Sequence, residues 1–255
     1  MLDFITNSIK QTMFMTKNFK NITDSMLFFA KMSHELKSPI HGIIGLSEYL
    51  MNNWNNIDNY KKKSCIDDLH STVFDIKHLI EKLFQLTILT SNNIDYNLEK
   101  INIIELIETV IEQNNRFVGN VICSTLLESK YRKILINIDP FWIKQLLSNL
   151  INNAIKHSGA KKIKIKINCQ KLDSRENLVI SVIDDGRGIP KKDFDNLFHP
   201  FQQGSNVNKI LKGSGLGLSI CKEIILAHDG DIWIENNQTK GISVNFSLPN
   251  SEVSL

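Results

Sequence analysis

Two long stretches of this chain carry apolar residues at helical spacing, and neither can bury that face by itself. In the first, roughly 25 to 50, Met32, Leu36, Ile40, Ile43 and Ile44 recur at three- and four-residue intervals. In the second, roughly 58 to 90, Ile66, Leu69, Val73, Ile76, Leu79, Ile80, Leu83 and Leu86 do the same. The polar run 51–57 has the composition of a turn between them, so the pair reads as a helical hairpin. A second copy would supply the two helices needed to cover both stripes, and the pattern therefore predicts a four-helix bundle made from two chains. Residues 91–97, rich in asparagine, read as a linker.

The first helix sets His34 near the edge of its stripe with Glu35 beside it. A carboxylate can take the proton from one ring nitrogen while the other attacks phosphorus, the local chemistry of a phosphohistidine. Alone, such a pair is far more often a half-exposed helix histidine. His41, seven residues on and near the same face, is a rival acceptor without an adjacent acid. Pro39 removes one backbone donor and is expected to bend the helix five residues beyond His34. Residues 1–24, with Leu2, Ile5, Ile9 and Phe19 in a rough heptad, read as a weak input helix or a disordered leader.

The chain's 255 residues are 42% hydrophobic, enough for one large domain or two modest ones. A net charge of +3, with lysines scattered among acids, gives no reason to expect a nucleic-acid partner. Cys65, Cys123, Cys169 and Cys221 are far apart and lack the spacing of a zinc site, so they read as reduced thiols. There is no apolar run of membrane-spanning length and no secretion-signal layout at the N-terminus. The expectation is a cytoplasmic chain without a membrane segment.

Beyond the linker the pattern changes. Residues 103–115 read as helix, and 121–127 and 134–138 as strands. Asp139-Pro140 is a good cap for a further helix over 140–157. Alternation in 162–167 and 178–183 marks two strands, with Lys162, Lys164 and Lys166 on the solvated face of a sheet. Strands near 231–236 and 241–248 close the chain. The order of elements predicts an α/β sandwich with a mixed sheet.

Three motifs in this half suit a nucleotide. Asn149 and Asn153 are one helical turn apart and project from one face, with Lys156 near that side. An amide oxygen is a hard ligand for Mg²⁺, and an ammonium group can meet phosphate. Asp184-Asp185-Gly186-Arg187-Gly188 follows a strand, where a carboxylate can accept from an adenine amino group and glycines keep side chains out of the way. Gly213-Ser214-Gly215-Leu216-Gly217 is read as opening a helix whose amides seat a triphosphate. Between the glycine clusters, Phe198 and Phe201 flank His199-Pro200 and could anchor a mobile lid running to Lys212. Each motif alone is weak: Asn-x-x-x-Asn means little in a chain this rich in asparagine, and Asp-Gly is an ordinary turn.

Together they resemble the sensor histidine kinases. Ser33-His34-Glu35-Leu36-Lys37-Ser38-Pro39 is similar to that family's phosphoacceptor box, with Lys37, Ser38 and Ile40 where Arg, Thr and Leu are common. The three later motifs and the Phe-containing segment resemble its Asn, first glycine, Phe and second glycine boxes, in the same order. His157 stands where an aromatic is usual, and His228-Asp229-Gly230 replaces a His-Gly-Gly.

The resemblance implies a dimerisation and phosphotransfer hairpin over 25–92 and a catalytic ATP-binding domain of Bergerat (GHKL) fold over 98–250. It implies an ATP- and Mg²⁺-dependent kinase that autophosphorylates on His34 and passes the group in trans to an aspartate of a response regulator receiver domain. Glu35 would assist His34, and Ser38 would orient a water if the chain also acts as a phosphatase. Asn153 would bind Mg²⁺, Asn149 would lie near the γ-phosphate, and Lys156 would contact phosphate. Asp184 would read adenine over a floor of Gly186 and Gly188, and Gly213, Gly215, Leu216 and Gly217 would form the phosphate loop and lid hinge. Two other classes fit parts of the pattern. An ATPase or chaperone-like machine of the same superfamily would hold a glutamate where Asn149 stands, and a non-catalytic partner would keep the hairpin but lack intact boxes.

Overall fold

The structure, a computed structural model, describes residues 22–91, 95–115, 122–126, 133–172, 175–205 and 213–249. The proposed input helix over 1–24 lies almost wholly outside the described residues. The chain divides into two compact units between Ser91 and Asn92.

The first unit is a helical hairpin. Helix α1, Ile22–Asn53, runs as one helix through Pro39, and helix α2, Asn59–Thr90, follows a short turn. Asp58 caps α2 by accepting from the Lys61 amide at 2.7 Å, satisfying one of the donors that a helix start leaves unpaired. Phe28, Leu50, Cys65, Leu79, Leu83, Leu86 and Leu89 are buried in the hairpin. The expected buried stripe is only partly covered: Ile40 and Ile44 are 43% and 48% exposed, and Ile66 and Val73 are 49% and 52% exposed. Two helices have one mutual interface, and a stripe wider than that interface stays at the surface.

The second unit is a mixed sheet under helices. Strand β1, Glu99–Asn102, leads directly into helix α3, Ile103–Asn115; β2 is Ile122–Leu126 and β3 is Leu135–Ile138. Helix α4, Pro140–His157, is followed by β4, Lys162–Leu172, and β5, Arg175–Asp184. Helix α5, Gly217–Ala227, precedes β6, Ile232–Asn236, and β7, Ile242–Pro249. The sheet order is β2-β4-β5-β7-β6, with β2 parallel to β4 and the other pairs antiparallel. Strand β1, which no alternation in the sequence announces, pairs antiparallel with β3 in a separate two-stranded sheet.

Alternation decides which face meets the helices. On β4, Ile163, Ile165 and Ile167 are buried while Lys162, Lys164 and Lys166 are exposed, and on β7 Val244, Phe246 and Leu248 are buried with Ile180 and Val182 of β5. Helix α4 sends Ile143, Leu146, Leu147, Leu150 and Ile151 into this core, and α5 sends Ile220, Ile224 and Ile225. Burying a Leu or Ile side chain contributes about 1.5–3 kcal/mol, so these eight fix where α4 and α5 lie on the sheet.

Gly241 is the tightest point of the frame. It sits at φ +85°, and a Cβ there would meet the Asp184 carbonyl oxygen at 1.9 Å. Only glycine lets the β6–β7 turn close on the end of β5. Asn237 completes the closure, its Nδ2 donating to the Asp184 carbonyl at 2.8 Å.

Candidate functional site

Asp139 starts the helix that carries the asparagines. Its side chain accepts from the amides of Phe141 and Trp142, and Pro140 occupies the first helical position, where a missing N–H costs nothing. Ten residues on, Asn149 is buried, and its Nδ2 has no hydrogen-bond partner among the described residues. Leaving a buried donor unpaired costs about 1–3 kcal/mol. Asn153, one turn later, is half-buried, and Lys156 is exposed.

The second glycine cluster meets this face. The expected helix opens within this cluster, at Gly217 with Leu216 as its cap residue, and not earlier. The reason is Gly215, which at φ +67° lies so close to Phe201 and Gln202 that its Cβ would come within 2.7 Å of the Gln202 carbonyl. Phe201, itself at φ 61°, donates its amide to the Gly215 carbonyl at 2.9 Å, and Gln203 Nε2 donates to the Gly213 carbonyl. Residues 213–216 therefore serve as one arm of a clasp instead of a first helical turn. Gly217 then abuts Asn153: a Cβ on it would stand 3.4 Å from Asn153 Nδ2 and 3.6 Å from Oδ1. The expected lid segment 206–212 lies outside the described residues.

The first glycine cluster divides its two acids. Asp185 is held in the turn, its Oδ1 accepting from the amides of Lys161 and Lys162 at 2.8 and 2.9 Å. These bonds, the Lys162 amide foremost, hold its carboxyl below the usual range. Asp184 is 4% exposed. Its Oδ1 accepts from the Gly186 amide at 2.7 Å. Desolvation dominates and pushes the Asp184 carboxyl up, while bonds from Gly186, Ile242 and Ser158 pull the other way.

What Gly186 accommodates is Ser158, whose Cβ would lie 2.3 Å from a Cβ at that position. The turn is thus pressed against the end of α4. Gly188, at φ +77°, faces Asn236, which bonds both the amide and the carbonyl of Ile189. A groove of about 350 Å³ runs along this outer side, between Arg187–Pro190 and Asn236–Gly241. Of the candidate site residues it is lined by Gly188, and not by Asn149, Asn153 or Asp184.

On α1, His34 is exposed, Ser38 is exposed one turn later on the same face, and Glu35 is half-buried. Adjacent helical residues point about 100° apart, and no hydrogen bond joins His34 to Glu35 among the described residues. The rival His41 is engaged locally, its Nδ1 donating to the Lys37 carbonyl at 2.7 Å. His78 pairs with Glu81 at 3.2 Å and His228 is buried, so neither offers a free exposed ring. The four cysteines are free thiols. Among the described residues no helix is long and apolar enough to cross a membrane.

The chain thus has a helical hairpin that exposes a histidine, followed by an α/β unit whose asparagine helix meets a glycine-opened helix. Comparison with known proteins gives the same division. Residues 25–92 match the His Kinase A (phospho-acceptor) domain, and residues 138–252 match the family described as Histidine kinase-, DNA gyrase B-, and HSP90-like ATPase. The chain belongs to the sensor histidine kinases, with a phosphoacceptor domain and a GHKL domain.

It is 33% identical over 237 residues to sensor histidine kinase WalK of Bacillus subtilis, covering 88% of this chain and 36% of that protein. The chain spans about a third or less of the length of the first curated relatives it matches. Among solved structures it resembles Acinetobacter baumannii histidine kinase AdeS, with TM-score 0.65 and 25% identity over 86% of this chain and 98% of that one. It also resembles histidine kinase ThkA, solved in complex with response regulator protein TrrA, with TM-score 0.62 and 25% identity over 88% of this chain and 61% of that one.

Proposed function

We propose that the chain is an ATP-dependent protein-histidine kinase that phosphorylates His34 and hands the group to an aspartate of a response regulator in trans. The observation that carries this reading is the meeting of α4 and α5. Asn153 abuts Gly217, and one turn back the buried amide of Asn149 lacks an acceptor of the kind a phosphate oxygen supplies.

In this reading Asp184 accepts from the adenine amino group, a role suited to a buried carboxylate. Asn149 Nδ2 donates to a phosphate oxygen, Lys156 adds a positive charge, and the first amides of α5 after Gly217 face the phosphates. Gly213, Gly215 and Leu216 hold the phosphate loop, and Gly186 and Gly188 shape the turn beneath the base. Asn153 Oδ1 is a hard oxygen ligand that fits Mg²⁺, which would neutralise phosphate charge as transfer proceeds.

In the transfer, a bond forms between an imidazole nitrogen of His34 and the γ-phosphorus. The bond from that phosphorus to the β,γ-bridging oxygen breaks, ADP leaves, and the proton on the other ring nitrogen passes toward Glu35. The N–P bond keeps high transfer potential, which suits a relay to an aspartate. Ser38, on the His34 face, would orient a water for a separate phosphatase reaction, in which the water attacks the regulator's aspartyl phosphate, frees the aspartate and releases inorganic phosphate. The exposed residues Ile40, Ile44, Ile66 and Val73 support a homodimer whose second copy covers them. A cytoplasmic location follows from the same reading.

The test is incubation with γ-labelled ATP and Mg²⁺. Acid-labile label in the wild type that is absent in His34→Gln supports the kinase. Label that is acid-stable, or that persists in His34→Gln, overturns it. Asp184→Ala should lose nucleotide binding while His34→Gln keeps it.

A further inference from the structure

His228 is buried and both of its ring nitrogens are engaged. Nδ1 donates to the Ile224 carbonyl in the last turn of α5 at 2.7 Å, and Nε2 accepts from the Asp139 amide at 3.1 Å. The Asp139 carboxylate does two further things: Oδ1 caps α4, and Oδ2 accepts from the Asn97 amide at 3.0 Å. Tyr96 packs edge-on against the His228 ring, with centroids 5.6 Å apart. Burial pushes its phenol up, helped by the carboxylates of Glu223 on α5 and of Asp139. Residues 96 and 97, which follow the phosphoacceptor hairpin in sequence, are thus tied at one point to the start of α4 and the end of α5.

That point lies at one end of an antiparallel helix pair whose other end is the nucleotide site. Asp139 meets His228. Seven residues on, the Leu146 carbonyl meets Cys221 Sγ at 3.8 Å, and seven further on Asn153 meets Gly217. Positions 139, 146 and 153 share one side of α4, at the spacing that keeps two packed helices in contact. Fourteen residues of helix span about 21 Å. A shift of one helix against the other at the Asp139–His228 end is carried through the Cys221 contact to the Asn153–Gly217 end, because packed helices move as rigid elements.

We propose that His228 is a positioning residue. Through Asp139 it couples the docking of Tyr96 and Asn97 to the register of α4 against α5, and so to nucleotide affinity. This rests on the nucleotide-site reading above. By linkage the coupling runs both ways: a docked linker favours nucleotide, and bound nucleotide favours a docked linker.

The test is calorimetric titration of the full chain with a non-hydrolysable ATP analogue and Mg²⁺, on variants whose near-ultraviolet dichroism shows native packing. Asn97→Pro deletes the amide held by Asp139 without touching α4 or α5, and is expected to weaken binding about fivefold, at the lower end of typical coupling. His228→Leu is expected to weaken it about tenfold, and His228→Gln, which keeps an acceptor for the Asp139 amide, to recover most of that loss. Unchanged affinity in Asn97→Pro and His228→Leu overturns the coupling and leaves the nucleotide site standing. If His228→Leu does not fold, hydrogen exchange on the unaltered chain decides. Saturating analogue should protect the Asn97 amide more than the Ile103 amide, which bonds to the nearby Ile134 carbonyl instead. Equal protection overturns the proposal. An unaltered chain that binds no nucleotide overturns the nucleotide reading, and this inference with it.

Discussion

The carboxamide of Asn153 and the Cα of Gly217 are packed neighbours, since a Cβ on Gly217 would stand in ordinary van der Waals contact, 3.4 Å from Asn153 Nδ2. The contact joins residues of two helices that are 64 positions apart in sequence, and it puts a metal-competent oxygen beside the amides that open α5. Gly217→Val would push its γ-methyl groups into the Asn153 carboxamide. ATP binding is expected to weaken by about tenfold, or 1.4 kcal/mol, with the thermal midpoint little changed. Titration calorimetry alongside a melting curve checks this, and undiminished affinity would show that the contact is not part of the site.

Asp184 gives the site a pH dependence of defined sign. Its folded-state carboxyl titrates above the ordinary 3.8, so between the two values the native state binds more protons than the unfolded chain. Stability without nucleotide therefore falls as pH rises through that window. On the proposed reading an adenine amino group would bind the ionised form, so affinity should do the opposite and fall as pH drops through the raised value. Asp184→Asn should flatten both trends. Parallel titrations of wild type and variant separate this from protonation of the nucleotide itself, which both share.

Gly241→Ala tests the frame. The substitution combines a left-handed φ of +85° with a 1.9 Å clash against the Asp184 carbonyl. It is expected to cost about 2–4 kcal/mol of stability, read from urea unfolding of the wild type and the variant. A loss below about 0.5 kcal/mol would mean that the β6–β7 turn relaxes freely.

The choice between two nearby histidines is open to a direct comparison. His41 spends a ring proton on the Lys37 carbonyl, whereas His34 is exposed with no such bond among the described residues. Phosphorylation is expected to survive in His41→Gln and to vanish in His34→Gln, as measured by acid-labile label. Loss in His41→Gln with His34 intact would reverse the assignment.

Dimerisation should depend on the exposed stripe. Ile40→Glu combined with Val73→Glu puts like charges on two positions that are 43% and 52% exposed in the single chain, where they cost it little. In a bundle the same charges would be buried without partners. Light scattering is expected to show a dimer for wild type and a monomer for the variant at micromolar concentration. A dimer in both would place the interface elsewhere.

Much of this architecture could be read without coordinates because it depends on neighbours in sequence. The period of 3.6 over 58–90, the Asp139-Pro140 cap and the alternation of Lys162 to Ile167 each report a local energetic preference, and α2, α4 and β4 form where those preferences point. The one sheet element that escaped, β1, is four residues long and borrows its partner β3 from 36 positions away, so no local pattern marks it. The glycine cluster at 213–217 announces the opening of a helix, but not that Phe201 would clasp Gly215 and set the start at Gly217, because that contact is tertiary.

The sequence by itself therefore determined the elements other than β1, the order of the boxes and the residue types able to handle phosphate and metal. Tertiary structure alone decided that Asn153 meets Gly217, that Asp184 turns inward while Asp185 ties down a turn, and that His228 reaches Asp139 across 89 residues. The physical reason is that helix and strand preferences act over a few residues. Which side chains become neighbours depends on how buried faces pack once the sheet has fixed where α4 and α5 lie.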